Sequence, residues 1–380
     1  VTHPTDTPDP DERGAAPAAP DDAGRAGAAS RRSFLRRAGL GTAAMFGGGF
    51  AGGFSAHAAN HALAATEDPS TQGAHGLSVY DAAVPGGSGL QVVGGAPGTA
   101  AAGVYGHGAQ PPLGLSPAAL DRLTHPPARQ HGPRTYTMEV VEHPVEVADG
   151  VVVAQWTYNG SAPGPILRVT EGERLTVHLR NRTEHDHNLH LHGRHSPQMD
   201  GWEPIPPGGE FTYEVVAAPA GVHPYHCHTM PLAQHVARGL YGALIVDPVE
   251  PRPEAVEVVL VLSGWDVDGD GRNELFTWNG IAGFYHRHPI TVPVGALVRV
   301  HVLNLVEYDS VASFHLHAQT FDVFRTGTST TPQEHTDTVT LTQGERAVLE
   351  FRLPERGRYM FHPHQHHMAE AGAMGWFSAV

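Results

Sequence analysis

The sequence predicts an all-β protein built from two related β-sandwich domains, and three observations carry that expectation. From Thr135 onward the chain consists of short β-rich runs separated by Gly and Pro, such as Val151-Val152-Val153, Leu175-Thr176-Val177 and Ala243-Leu244-Ile245-Val246. An internal repeat is visible: WTYNG at Trp156 to Gly160 recurs as FTWNG at Phe276 to Gly280, and FTYEVV and VLEFRL each lead into a Gly, an aromatic and an H-x-H. Four H-x-H pairs stand at matched places. The offset between copies is 120 at Asn159/Asn279, 125 at His190/His315 and 136 at His226/His362, so the second copy carries small loop insertions.

The elements follow in chain order. Ser30-Arg31-Arg32-Ser33-Phe34-Leu35 reads as a twin-arginine signal, followed by a Gly/Ala-rich apolar run from Ala38 to Ala56 and an A-x-A cleavage site at Ala56-His57-Ala58. As a membrane anchor the run is barely long enough and is rich in Gly rather than Leu, and no later segment approaches spanning length. Residues 1–58 are therefore expected to direct export to the periplasm or outside the cell, with no stable membrane insertion after cleavage. That route carries proteins already folded, often with a cofactor loaded, which suits a metalloprotein. Residues 59–134, dominated by Gly, Ala, Pro and polar residues, read as a linker or loosely packed extension in which Val79-Tyr80 and 115–123 form at most short elements. The two copies are expected over 135–250 and 255–380.

Composition narrows the chemistry. The net charge of -15 argues against nucleic-acid binding, which draws on a basic face. One Cys in 380 residues excludes an intramolecular disulfide and any cysteine-based zinc or iron–sulfur site. The 28 His, about 7 % of the chain, point to metal.

On a strand, residues i and i+2 face the same way, so each of the pairs His190/His192, His226/His228, His315/His317 and His362/His364 aims two imidazoles at one spot. Eight converging neutral imidazoles suit a copper cluster better than a structural zinc site, which closes with four ligands. One H-x-H alone would be an ordinary strand face; four at equivalent positions are not. Cys227 lies between His226 and His228 and must face away from both, and His187, three before His190, is likewise turned to the opposite face. With His235 they form a set of two imidazoles and one thiolate, the ligands of a blue-copper electron-transfer centre. The competing reading of Cys227 is a buried free cysteine. Leu240 stands where a weak axial ligand would be expected, and a non-coordinating side chain there should raise the copper potential. In the second copy Ala312 stands at the place of His187, Pro363 at that of Cys227 and, by simple offset, Ala371 at that of His235, so only the first copy is expected to hold this centre.

With HNLHLHG, HCHTMPLAQHVARGLYGALIV, FHLHAQTF, FHPHQHHMAEAGAMGWF and YNGSAPGP in place, the chain over about 135–380 resembles the two-domain multicopper oxidases, the small laccase-like group with type 1 copper in the first domain. The resemblance implies cupredoxin-like Greek-key sandwiches and one type 1, one type 2 and two type 3 coppers per functional unit. It implies type 1 copper on His187, Cys227 and His235, type 2 copper on His190 and His315, and the type 3 pair on His192, His226, His228, His317, His362 and His364. It further implies one-electron oxidation of a small reducing substrate, passage of the electron through Cys227 to His226 and His228, and reduction of O2 to water. A homotrimer with clusters between domains of neighbouring chains is the arrangement that goes with it. Asp200 matches the family's acid near the cluster and is a proton-relay candidate, although an Asp-Gly turn accounts for it equally well. Glu370 is a second candidate.

Two rival readings are compatible with part of this pattern. Copper nitrite reductases share the two-domain plan, but that family has a non-ligand acid at the place of His190 and a small residue at that of His228. A non-enzymatic exported copper-tolerance protein would be expected to use more methionine than the 7 present. Asp266-Val267-Asp268-Gly269-Asp270-Gly271 resembles the start of a calcium loop, but position twelve is Thr277, so it reads as a polar connection. His185, His195, His223, His366 and His367 are either hydrogen-bonding supports for the ligands or surface residues. The electron donor is not legible, since selectivity lies in surface loops.

Overall fold

The computed structural model describes residues 117–380; the signal and most of the 59–134 segment lie outside them. After a short helix, α1 (Pro117–Thr124), the described chain is β-rich. The first copy contributes β1 (Arg134–Ala148), β2 (Val151–Tyr158), β3 (Leu167–Thr170), β4 (Arg174–Asn181), β5 (His190–Leu191), β6 (Glu210–Val216), β7 (Gly221–His226), α2 (Leu232–Ala237) and β8 (Tyr241–Asp247). They form two four-stranded sheets, in the orders β2-β1-β4-β6 and β3-β8-β7-β5.

The second copy contributes β9 (Val256–Trp265), β10 (Leu275–Trp278), α3 (Phe284–Arg287), β11 (Ile290–Val292), β12 (Leu297–Asn304), β13 (Val311–Leu316), β14 (Phe321–Arg325), β15 (Glu334–Thr336), β16 (Thr338–Thr342), β17 (Arg346–Arg352), β18 (Gly357–His362), α4 (His366–Glu370) and β19 (Gly375–Ala379). Their sheet orders are β10-β9-β12-β17-β14-β15 and β11-β19-β18-β13-β16. The repeat read from sequence is a repeat of pairings. The parallel pairs β1–β4 and β3–β8 recur as β9–β12 and β11–β19, and the antiparallel pairs β5–β7 and β7–β8 as β13–β18 and β18–β19. The insertion implied by the growing offset falls at β14 and β15, which have no partner in the first copy, whereas the pairing of β16 with β13 at Ala312 and Leu341 repeats the His187–Ile205 bridge.

Alternation of side chains decides what each strand buries. Along β8, Leu244 and Val246 enter the core between the first copy's sheets, while Tyr241, Ala243 and Ile245 enter a second core shared with Val259 and Val261 of β9 and Leu303 of β12. On the other face of β9, Val258, Leu260 and Leu262 fill the second copy's own core. Strands covered on both faces lose the polar alternation, which is why β8 reads YGALIVD, buried throughout.

The end of the 59–134 segment departs from a loose linker. His125 Nδ1 lies 3.1 Å from Glu257 O, Arg129 donates to Pro248 O at 2.9 Å, and Pro127 O accepts from Arg168 at 2.8 Å. Arg168, 7 % exposed, also pairs with Asp247 of β8 at 2.8 Å and Glu257 of β9 at 2.7 Å, tying both copies to this segment. Backbone groups beside buried charges need partners, and this Pro-rich stretch supplies carbonyls to them.

Candidate metal centres

β5 and β7 pair antiparallel with His190 directly opposite His226, and β13 and β18 repeat that register with His315 opposite His362. Each cross-strand pair thus brings two H-x-H segments together, at the edge of the sheet in the first copy and inside β16 in the second. In the first copy the ring of His190 lies 5.0, 5.2 and 5.3 Å from those of His192, His226 and His228, and His192 Nε2 is 3.1 Å from His226 Nε2. In the second copy the ring of His315 lies 4.8, 5.5 and 5.1 Å from those of His317, His362 and His364, and His317 Nε2 is 2.9 Å from His362 Nε2. The eight imidazoles expected to converge do not do so within one chain. They form two sets of four, and no ring contact or hydrogen bond joins the sets among the described residues. Each register closes only its own copy's cross-strand pair.

Backbone carbonyls fix how the rings turn. His226 Nδ1 contacts Cys227 O at 2.9 Å, His362 Nδ1 contacts Pro363 O at 2.8 Å and His190 Nδ1 contacts Asp200 O at 2.8 Å, which leaves each Nε2 for the site. Burial holds His192 down to about 3 and His226 to about 4, with neighbouring imidazoles adding to the shift. Burial also lowers His317 and His362. Neutral rings with free lone pairs are what a metal requires.

The opposite face carries the other set. Burial alternates along the chain: His226 and His228 are half-buried, while Cys227, between them, is fully buried, as is His187. Cys227 Sγ lies 3.3 Å from His235 Nδ1 and 3.9 Å from His187 Nδ1, and the two Nδ1 atoms are 3.2 Å apart. His235 is delivered by α2, whose position is set by Pro231 O accepting its N–H at 3.3 Å. Burial drives His187 down to about 3 and His235 to about 4, and it raises the Cys227 thiol. Two neutral imidazoles and a soft thiol, dry and mutually within reach, fit a copper ion.

One place in the second copy is corrected. Gly239 and Gly372 both have positive φ, and a Cβ on either would collide with equivalent atoms, Ala162 Cβ and Trp156 O in one case and Ala282 Cβ and Phe276 O in the other. The turns match as well, with Leu240 N–H on His235 O and Ala373 N–H on Met368 O. The offset therefore drops to 133 after the last pair, and Met368, not Ala371, stands at the place of His235. A loop three residues shorter accounts for the slip. Ala312 and Met368 are both packed into the apolar core there.

Asn188 was not singled out by the sequence. It is fully buried, its Oδ1 accepts the His228 N–H at 2.6 Å and lies 3.5 Å from Cys227 Sγ, and its Nδ2 donates to Gly201 O at 2.5 Å. Ser313 repeats the role, its Oγ accepting the His364 N–H at 2.8 Å. The available signal was a polar residue at the same place in both copies, two before the first histidine of an H-x-H pair.

Asp200 lies beside the first set, with its carboxylate 3.4 Å from His190 Nδ1 and 3.7 Å from His195 Nε2. The Asp-Gly turn is also real, since Gly201 has φ +80° and a Cβ there would sit 2.3 Å from Leu189 O. Glu370 is exposed at the end of α4 and, among the described residues, makes no hydrogen bond or ion pair with an imidazole. His366 lies 5.4 Å from His364, whereas His367 faces Asp309 at 3.7 Å. In the Asp266 loop the carboxylates accept backbone N–H groups of their own turn, and Glu274 joins them by accepting the Val267 N–H at 2.6 Å.

Comparison with known proteins agrees with this geometry. Two multicopper oxidase family models match residues 139–251 and 263–380. A copper-containing nitrite reductase of Neisseria meningitidis is 27 % identical over 261 residues, covering 63 % of this chain and 67 % of that protein. The multicopper oxidase MmcO of Mycobacterium tuberculosis is 35 % identical over 153 residues, covering 38 % of this chain but only 30 % of that protein. A crystal structure of a multicopper oxidase superposes with a TM-score of 0.64 at 43 % identity, covering 65 % of this chain and 89 % of the other.

Proposed function

The chain belongs to the multicopper oxidase family, and from that premise we propose that it is a laccase-like oxidase coupling one-electron oxidation of a small reducing substrate to four-electron reduction of O2 to water. The observation that carries the reading is the pair of matched four-imidazole sets together with a single thiolate site behind one of them. In this reading His187, Cys227 and His235 hold type 1 copper. His190 and His315 hold type 2 copper, and His192, His226, His228, His317, His362 and His364 hold the type 3 pair. Bound copper supplies one-electron redox steps and open positions for O2.

The chain's own residues prepare that chemistry. Burial favours the neutral form of His187, His192, His226, His235, His317 and His362, and the Cys227 thiol, pushed up by the same burial, releases its proton when metal binds. Cys227 is bonded through the backbone to His226 and to His228, so one peptide step separates the two sites. Asp200, whose carboxylate lies 3.4 Å from His190 Nδ1, is the proton-relay candidate of this reading.

The separation of the two imidazole sets supports a closed homotrimer in which each cluster takes one set from each of two neighbouring copies. The domain division at 135–250 and 255–380 and twin-arginine export to the periplasm or outside the cell belong to the same reading. Among the described residues no helix is long and apolar enough to cross a membrane. Nitrite reduction is disfavoured by His190 and His228, which leave more imidazoles than one catalytic copper uses.

The test is oxygen uptake by the copper-reconstituted chain with a panel of phenols, aromatic amines and metal ions, beside nitrite. Donor-dependent O2 consumption is expected, with both the blue band and the uptake lost in Cys227→Ser. Nitrite turnover without O2 consumption would overturn the oxidase reading.

A further inference from the structure

Neither imidazole of the Cys227 site reaches solvent: His187 is fully buried and His235 is 3 % exposed. What lies against both is the ring of Trp156, 4.9 Å from His187 and 4.8 Å from His235, and itself buried. On that indole sits the guanidinium of Arg238, its carbon 4.2 Å from the ring centroid, and the exposed His185 ring packs on it at 4.9 Å. Arg238 differs from the other arginines held partly inside the fold. Arg168, Arg252, Arg299 and Arg346 each donate to a carboxylate or a backbone carbonyl. The Arg238 guanidinium makes no hydrogen bond or ion pair with the protein among the described residues, so its N–H fork is spent on nothing but the indole.

The repeat supplies an internal control. The second copy has lost the thiolate site, with Ala312, Pro363 and Met368 in place of its ligands. By the same correspondence it has Phe276 at the place of Trp156, Ala371 at that of Arg238 and Ser310 at that of His185. The cation–indole pair exists only where the site exists. A structural support for the sandwich itself would be needed in both copies.

We propose that Arg238, held on Trp156, is the specificity-determining residue of electron entry and selects aromatic donors carrying a carboxylate or sulfonate. The inference rests on the oxidase reading above. The anion takes the free guanidinium fork, and its ring lies within electron-transfer reach of Trp156. A phenolic donor would give up one electron and its hydroxyl proton to become a phenoxyl radical, the proton going to solvent and the electron to the Cu(II) that His187, Cys227 and His235 would hold, reducing it to Cu(I). Glu142 and Asp186, the acidic groups whose fields reach Arg238 and His235, are exposed and act in the opposite sense.

The experiment is anaerobic stopped-flow bleaching of the blue band by three phenols matched except for charge: a sulfonate, the neutral parent and a trimethylammonium derivative. Each is run with the copper-loaded wild type, Arg238→Lys, Arg238→Gln and Arg238→Glu. The sulfonate-to-ammonium rate ratio should fall about tenfold in Arg238→Glu, fall less in Arg238→Gln and hold in Arg238→Lys. Redox titration of each variant supplies the second readout: the site's potential should drop from wild type to Gln to Glu, a change common to all three donors that cancels in the ratio. An unchanged ratio in Arg238→Glu and Arg238→Gln with the blue band intact overturns the inference alone. A wild type with no blue band overturns the copper reading beneath it.

Discussion

The two copies share their strand pairings and their imidazole registers, yet one surrounds a buried Cys227 with two histidines and the other fills the same volume with Ala312, Pro363 and Met368. On the face that presents His190, His226, His315 and His362, the copies are nearly superimposable in role, down to Asn188 and Ser313 each holding the N–H of the last histidine. On the opposite face they diverge completely. A β-strand allows this because alternate residues answer to different surroundings: the outward positions keep one chemistry while the inward ones are free to become either a ligand set or ordinary core. Deleting a soft-ligand site from a sandwich therefore requires few substitutions and no change of topology.

The sharpest test of that contrast exchanges the corresponding residues for alanine. Met368→Ala opens a cavity in a close-packed apolar core, where the residue is 1 % exposed, and should cost about 2–5 kcal/mol in urea unfolding of the copper-free chain while leaving the blue band of the loaded protein unchanged. His235→Ala should do the reverse, abolishing the blue band at a smaller cost to the copper-free fold. If Ala371→Gly, the position simple counting would choose, proved as costly as Met368→Ala, the revised correspondence between the copies would be wrong.

A smaller effect separates the copies by pH. His187 has an ordinary value of 6.5 when unfolded and about 3 in the fold, chiefly because burial opposes its charge, so the unfolded chain binds the extra proton first. Its effect on stability is nil above about pH 6.5 and increasingly unfavourable as pH falls toward 3, reaching about 2 kcal/mol at pH 5. Ala312 has no proton to bind. Comparing urea unfolding of the copper-free chain at pH 7 and pH 5, the wild type should lose about 2 kcal/mol more than His187→Gln. Equal losses would mean that His187 is already solvated.

These differences also show what the sequence could reveal. The H-x-H pairs, Cys227 and His187 were legible because strand periodicity converts spacing directly into facing, and the internal repeat gave every position a counterpart for comparison. Met368 was not, because a three-residue difference between the helical turns shifts the count, and only the hydrogen bonds closing at Leu240 and Ala373 reveal it. Nor was the division of the eight histidines into two sets, since periodicity fixes which way a side chain faces on its own strand but not whether two sandwiches bring their edges together. Trp156 and Arg238 act through contacts with residues distant in sequence, and no local pattern marks them.

The smallest expected effect concerns Leu240, whose counterpart is Ala373. Its backbone ties the site together, its N–H on His235 O at 3.3 Å and its carbonyl accepting the Cys227 N–H at 3.0 Å, and its side chain is fully buried in the same core as Cys227. Leu240→Met keeps the volume, so the fold should change by less than about 1.5 kcal/mol. The thioether, however, adds the weak donor that leucine withholds, and the extra electron donation stabilises the higher charge of Cu(II) relative to the wild type. Redox titration should therefore find a lower potential in Leu240→Met, with the two four-imidazole sets unaffected because they lie on the other face of the strands. A potential that stayed level or rose would place Leu240 outside the axial position and return the tuning of the site to its remaining neighbours, Asn188 and Trp156.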